Sequence, residues 1–324
     1  MGKLVQARAH VPRALRVGLM TLLLAIAGVA HPQPAPTKGP SPASASASTT
    51  VGEVVVPGDK ARKLPENLPD KVWKDVKVRA QPSHTGNLSR WMVTVCPGTY
   101  GLNQTYASFV SGRISEVARR FVQVRPEPCH GINVLVAFTT VPQELMEDVR
   151  KNHPGLLGYH YVQEERKLAT FKGPIQAWYV TATNGIIDNA YGGNGVRTGE
   201  TTTGVPSGRL NNGQVSSLRF VLIVVDSNQV KGQPIGRIVD YIATLALSKT
   251  GARKGCSPLP SVLDALDRAC PASSSLETLT AYDESFLKAL YSTNVGQPER
   301  GSVALHTLKG VRQPKHPDAG SPSR

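Results

Sequence analysis

Metal chemistry and nucleophilic catalysis need particular side chains at particular spacings, and this chain offers few. Seven histidines lie beyond residue 30: His31, His84, His130, His153, His160, His306 and His316. None stands four residues from another, the spacing that puts two imidazoles on one helix face to share a zinc ion. His153 and His160 also sit in a stretch broken by Pro154, Gly155 and Gly158. No GxSxG elbow presents a serine nucleophile. Gly195 and Gly199 lack the lysine and hydroxyl residue of a phosphate loop. What remains is Asp240, three residues after Arg237 in a helix-patterned stretch. That pair is expected to be a surface ion pair contributing roughly a few tenths of a kcal/mol.

The other reactive residues are Cys96, Cys129, Cys256 and Cys270. An even count favours disulfides in an exported chain. Of three possible connectivities we favour Cys96–Cys129 and Cys256–Cys270, because each pair flanks one local unit. The second closes a loop worth roughly 3 kcal/mol in the chain-entropy view. A zinc site is the alternative, and the absence of CxxC spacing argues against it. No catalytic, metal-binding or cofactor-binding residue is expected.

Leu218–Ser248 organises the surrounding elements. An apolar strand, Leu218–Val225, runs into the turn Asp226-Ser227-Asn228. Pro234 then marks a helix start. Ile235, Ile238, Val239, Ile242, Leu245 and Ala246 share one helix face, with Gln233, Arg237, Asp240, Thr244 and Ser248 opposite. Upstream, Arg90–Cys96 reads as a strand stopped by Pro97-Gly98, followed by a helix over Gln104–Val122. That helix places Tyr106, Phe109, Val110, Ile114, Val117 and Ala118 on its apolar side, and Arg113, Glu116, Arg119 and Arg120 on a solvated one. Ile132–Thr139 is a doubly buried strand, Pro142–Lys151 a helix and Ala177–Ala182 a strand. Asn184–Gln214 holds eight glycines and reads as a long surface loop or irregular hairpin that shapes a cleft. A short helix is expected over Pro260–Ala269. A final helix, Leu279–Tyr291, has Thr280 and Asp283 at capping-box spacing. Alternating helices and apolar strands predict an α/β (α+β) fold with a mixed β-sheet packed by helices.

Residues 1–30 have the layout of a cleavable signal peptide, with a basic start and the apolar core Leu19–Ala30. Residues 31–50 form a Pro/Ala/Ser linker, 51–89 an N-terminal arm ending in a short strand, and 90–296 the globular domain. Residues 297–324 read as a disordered basic tail. The net charge is +14, of which residues 1–30 carry four while residues 31–80 and 299–324 carry three each. Charge so dispersed, with aromatics at only 6%, does not suit a nucleic-acid surface. No run after the signal is long enough to span a bilayer. The expected setting is periplasmic or secreted.

Val224-Val225-Asp226, Ile235-Gly236, Asp240–Ala243 and Leu245–Leu247, followed by Leu279-Thr280, Asp283, Phe286-Leu287 and Ala289–Tyr291, resemble an uncharacterised family of exported proteobacterial proteins. The layout is in turn similar to the catalytic domain of metzincin proteases, where a strand leads into a helix bearing HExxHxxGxxH. Matching Leu245-Ala246-Leu247 to that helix places Val239 and Ala243 in two histidine slots and Asp240 in the glutamate slot. The resemblance implies a metzincin-like sandwich, and valine and alanine cannot ligate zinc. The expected function is a non-catalytic binding or structural protein of the cell envelope, with an unknown protein or cell-envelope partner. A hydrolase built around Asp240 is the alternative, and electrostatic binding of anionic envelope polymers through the tails is a third reading.

Overall fold

A computed structural model describes residues 65–83, 86–126, 128–185, 214–253, 255–273, 275–293 and 299–312. The expected signal, linker and tail beyond residue 312 lie outside these residues, as does the glycine-rich stretch between 186 and 213. From Glu66 onward the described chain belongs to one compact unit.

The sheet is mixed, as the alternation of elements predicts. Three strands, β2 (Pro97–Tyr100), β3 (Val134–Thr139) and β5 (Gln214–Asp226), lie parallel in that order. On the other side of β5, β4 (Ile175–Gly185) pairs antiparallel along its whole length. A short parallel strand, β1 (Ser89–Trp91), continues the line of β3 beside the first half of β5. Val134, Val136 and Phe138, with Val221, Ile223 and Val225, enter the main core. The intervening Leu135, Ala137, Leu222 and Val224 are buried too. Strands alternate faces with period two, so both faces of the sheet are covered.

Helices α2 (Gln104–Arg119) and α5 (Ile235–Leu247) both contribute to the main core and pack on each other. Helix α2 is capped by Asn103, whose side chain accepts from the Tyr106 N–H. Val110, Ile114, Val117 and Ala118 are buried as the periodicity requires, but Tyr106 and Phe109 on the first turns are about half exposed. The apolar stripe thus begins one turn later than the sequence pattern suggests. Helix α3 (Pro142–Asn152) buries Leu145, Met146 and Val149 and touches β5. The four-residue helix α4 (Glu165–Leu168) leads into β4.

Four local expectations are corrected. The arm expected over 51–89 contains helix α1 (Leu68–Arg79), not a strand before Arg90. Leu68, Val72 and Val76 recur every four residues and bury one side, and Pro69 occupies the first turn, where a missing N–H costs nothing. Of the expected strand Arg90–Cys96 only the first two residues are strand, the end of β1, with an isolated bridge at Val95, and Pro97 begins β2. That strand lies at the sheet edge, where a proline at its first position is tolerated. The expected helix over Pro260–Ala269 is a single 3₁₀ turn, Val262–Asp264. The tail expected from 297 onward contains α7 (Glu299–Arg312), packed on α1 and on α6 (Ala281–Ser292).

The β2–α2 connection turns at Gly101, with φ +85°. A Cβ there would stand 1.9 Å from the Phe138 carbonyl oxygen, so β3 and the turn fit only without a side chain. Gly173 has a similar φ, +83°, with open space around it. Gly173→Ala therefore isolates the backbone cost, expected at about 1 kcal/mol. Gly101→Ala should cost clearly more, read as a lower urea midpoint with unchanged slope.

Candidate functional site

Two of the polar clusters inside the described fold bear on a candidate site, and the sequence singles out a candidate catalytic residue in only one of them. The first surrounds Asp240. From Arg237 to Ser248 every residue of the helix stretch except Tyr241 is buried, including the side expected to face solvent. Val239 and Ala243 have no exposure and belong to the main core. Asp240 is equally buried, and its partner is not Arg237. Its two carboxylate oxygens accept from Arg113 Nε at 2.8 Å and Arg113 Nη2 at 3.0 Å, a two-pronged contact from α2. The backbone N–H of Leu279 donates to Oδ2 at 2.9 Å. Arg237 instead donates to the Leu276 carbonyl at 2.6 Å and to the Gln233 side chain at 2.8 Å. Thr244 and Ser248 donate back to carbonyls one turn earlier. The expected surface ion pair is thus a pair of buried ties, from α5 to α2 and from α5 to the segment before α6. Burying the helix on every side forced each polar group to find a partner.

A zinc ion in the protease-like position does not fit these residues. Its two ligand slots are filled by aliphatic side chains packed in the core. Among the described residues no three His, Cys, Asp or Glu side chains converge as a metal site needs. Of the histidines, His160 lies against the Gly158 carbonyl and 3.6 Å from Glu165, and His130 and His306 are exposed. His31, His84 and His316 lie outside the described residues.

The second cluster has Arg79 and Asp283 at its centre, both fully buried. Arg79 closes α1. Its Nη1 reaches Asp283 Oδ1 at 2.8 Å, its Nε reaches Asp75 at 2.5 Å, and its Nη2 donates to Ser261 Oγ at 2.5 Å and Ser257 Oγ at 2.9 Å. The guanidinium lies over the Tyr282 ring, 4.7 Å from its centroid. Asp283 is also the capping residue of α6 that the sequence indicated, and it takes the Thr280 N–H in the reciprocal contact. Beyond that cap it accepts from the Ser261 hydroxyl at 2.6 Å and the Val262 N–H at 2.8 Å. Burial alone would raise the Asp283 carboxyl, but the Arg79 charge and these donors outweigh it and hold it below the usual carboxylate range. Beside it, Arg253 pairs with Asp264 at 2.5 Å and shares Ser257.

Both expected disulfides are present: Cys96–Cys129 and Cys256–Cys270. The first ties the start of β2 to the segment before β3. The second closes the loop that delivers Ser257, Ser261 and Asp264 to Arg79 and Arg253. No family model, curated protein or solved structure matches the chain.

Asp240 and Asp283 themselves are fully buried among the described residues. The Arg79 network escaped sequence reading because its members are scattered over some two hundred positions. The one local signal was the Thr280–Asp283 cap. A small pocket lies over the disulfide loop, lined by Cys256, Pro258, Leu259, Pro260 and Pro271, and its lining is largely apolar.

Two outcomes follow from the geometry. Asp283→Ala takes away one of the two carboxylates of Arg79 and leaves Ser261 and the Val262 N–H without their acceptor; it should cost about 3–5 kcal/mol, measured by urea unfolding at neutral pH. Because the folded carboxyl titrates below its unfolded value, its contribution is present above the unfolded value and lost as pH falls through the folded one. Wild-type stability should therefore drop below about pH 4, and Asp283→Asn should remove that part of the dependence.

Proposed function

We propose that this chain is an exported, non-catalytic binding or structural protein of the cell envelope, built on a metzincin-like scaffold. The observation that carries the reading is the closure of α5. The helix that would bear the chemistry has Val239 and Ala243 in the core, and its only carboxylate is held by Arg113 and the Leu279 N–H. General acid–base work needs a titratable group within reach of substrate. Asp240 has no such access, which disfavours the alternative of a hydrolase centred on it. Strand β5 leads into α5, the strand-then-helix layout on which the resemblance rests. Two disulfides suit an oxidising compartment. No described helix is long and apolar enough to cross a membrane.

Binding, in this reading, falls to the surface. Tyr159 and Tyr161 stand edge to face with centroids 6.1 Å apart, and with Val162 they are mostly exposed in the segment before α4. Such exposed aromatic groups suit a protein or cell-wall partner.

The test is a metal analysis of purified protein together with a broad peptide-hydrolysis screen. The expected result is no bound zinc and no hydrolysis. Stoichiometric zinc, or hydrolysis that Asp240→Asn abolishes, would overturn the proposal. For the binding surface, Tyr161→Ser should weaken retention on envelope fractions while leaving the unfolding midpoint unchanged.

A further inference from the structure

The loop between Cys256 and Cys270 serves the interior of the protein as well as closing on itself. Ser257 Oγ accepts from both Arg79 and Arg253, Ser261 Oγ joins Arg79 to Asp283, and Asp264 neutralises Arg253. Two fully buried charges, Arg79 and Asp283, and the half-buried Arg253 thus take hydrogen bonds from one short loop. The approach to that loop is not protected. Gly255 and Cys256 are exposed, residues 257–260 are half-buried, and none of them lies in a helix or strand. Cys270, by contrast, is 2% exposed. The other bridge joins a wholly buried Cys96 to a half-buried Cys129. Thiol–disulfide exchange needs access to a sulfur, and exposed bridges are the labile ones.

We propose that Cys256–Cys270 is a reducible clasp on α1, opened at Cys256 by a dithiol reductant. One thiolate of the reductant attacks Cys256 Sγ, the Cys256–Cys270 bond breaks, and Cys270 leaves as a thiolate that takes a proton from water. The second reductant thiolate then attacks the reductant sulfur bound to Cys256. This releases Cys256 as a thiol and the reductant as its cyclic disulfide, with two electrons transferred to the protein. The freed stretch from Gly255 to Pro260 carries Ser257 away from Arg79 and Arg253. Water then reaches the end of α1, where Arg79 lies. The rest of the fold persists, because Val262 and Leu263 remain in the interior and the sheet is tied by the separate Cys96–Cys129 bridge.

The experiment is a dithiothreitol titration of the full chain, read by differential alkylation of the four cysteines and by amide hydrogen exchange. Cys256 and Cys270 should become alkylated at lower reductant than Cys96 and Cys129. Exchange over Leu68–Arg79 should then quicken by about tenfold while β3 and β5 stay protected. The double variant Cys256→Ser, Cys270→Ser should show the same α1 exchange without reductant. Should that variant fail to fold, the wild-type titration decides the matter alone. The proposal is overturned if α1 exchange is unchanged once the bridge is open. Reduction of Cys96–Cys129 first, or opening of Cys256–Cys270 only with loss of protection throughout the sheet, would overturn it equally.

Discussion

A guanidinium with no contact to water sits where α1, α6 and the Cys256–Cys270 loop meet, and their placement follows from what Arg79 requires. Arginine keeps its charge at any accessible pH, so burial cannot be relieved by losing a proton. Its five N–H groups must find acceptors, and its charge must find a carboxylate. Asp283 provides the charge, Asp75 a second carboxylate from the same helix as Arg79, and two serines from the disulfide loop the remaining acceptors. Asp283 itself needs several donors and takes them from the loop and from its own helix N-terminus. Separating α1 from α6 would leave Asp283 in the interior without the arginine that neutralises it.

A second buried arginine repeats the logic at the other end of the helical layer. Arg90, on β1, pairs with Glu299 at 2.7 Å and donates to the carbonyls of Leu290 and Thr293 at the end of α6. Glu299 also accepts from the Leu88 N–H. Helix α7 is thereby fixed to the sheet and to α6 by one ion pair at its first residue. Replacing buried ion pairs by apolar groups is often neutral or stabilising in general. What such pairs do well is exclude alternative dockings, because every misaligned arrangement strands a charge. The outer helices α1 and α7 have modest apolar faces, and a unique docking is what they would otherwise lack.

Legibility in the sequence follows the range of the interactions. Helices α2, α3, α5 and α6 and strands β3, β4 and β5 announce themselves, since periodicity and capping are set within a few residues. The disulfide pairing is readable for the same reason, each bridge enclosing one local unit. Helix α1 is hidden because Pro65 and Pro69 look like breaks, although a proline in a first turn is a helix start. Helix α7 is hidden by Gly301 and Gly310. Those glycines are contact points, against Trp73 and Ser285 respectively, and not interruptions. Asp240 was legible as a residue of interest but not in its partner. Arg113 lies 127 positions away, and its helix face looks solvated until α5 is laid beside it.

A polar stripe opposite an apolar one normally marks a surface helix, and a surface helix with Asp240 and Arg237 would offer a place for chemistry. Here α5 is covered on its polar side as well, so each polar group is consumed by holding a neighbour: Asp240 holds α2 and the entry to α6, Arg237 holds the Leu276 carbonyl, and Thr244 and Ser248 close on their own backbone. A catalytic carboxylate must be reachable by substrate. A structural one gains from having both oxygens engaged, and Asp240, fully buried and held by Arg113 and the Leu279 N–H, is placed for that. The same side chain that made the helix look like an active-site scaffold is what locks it into the centre of the fold.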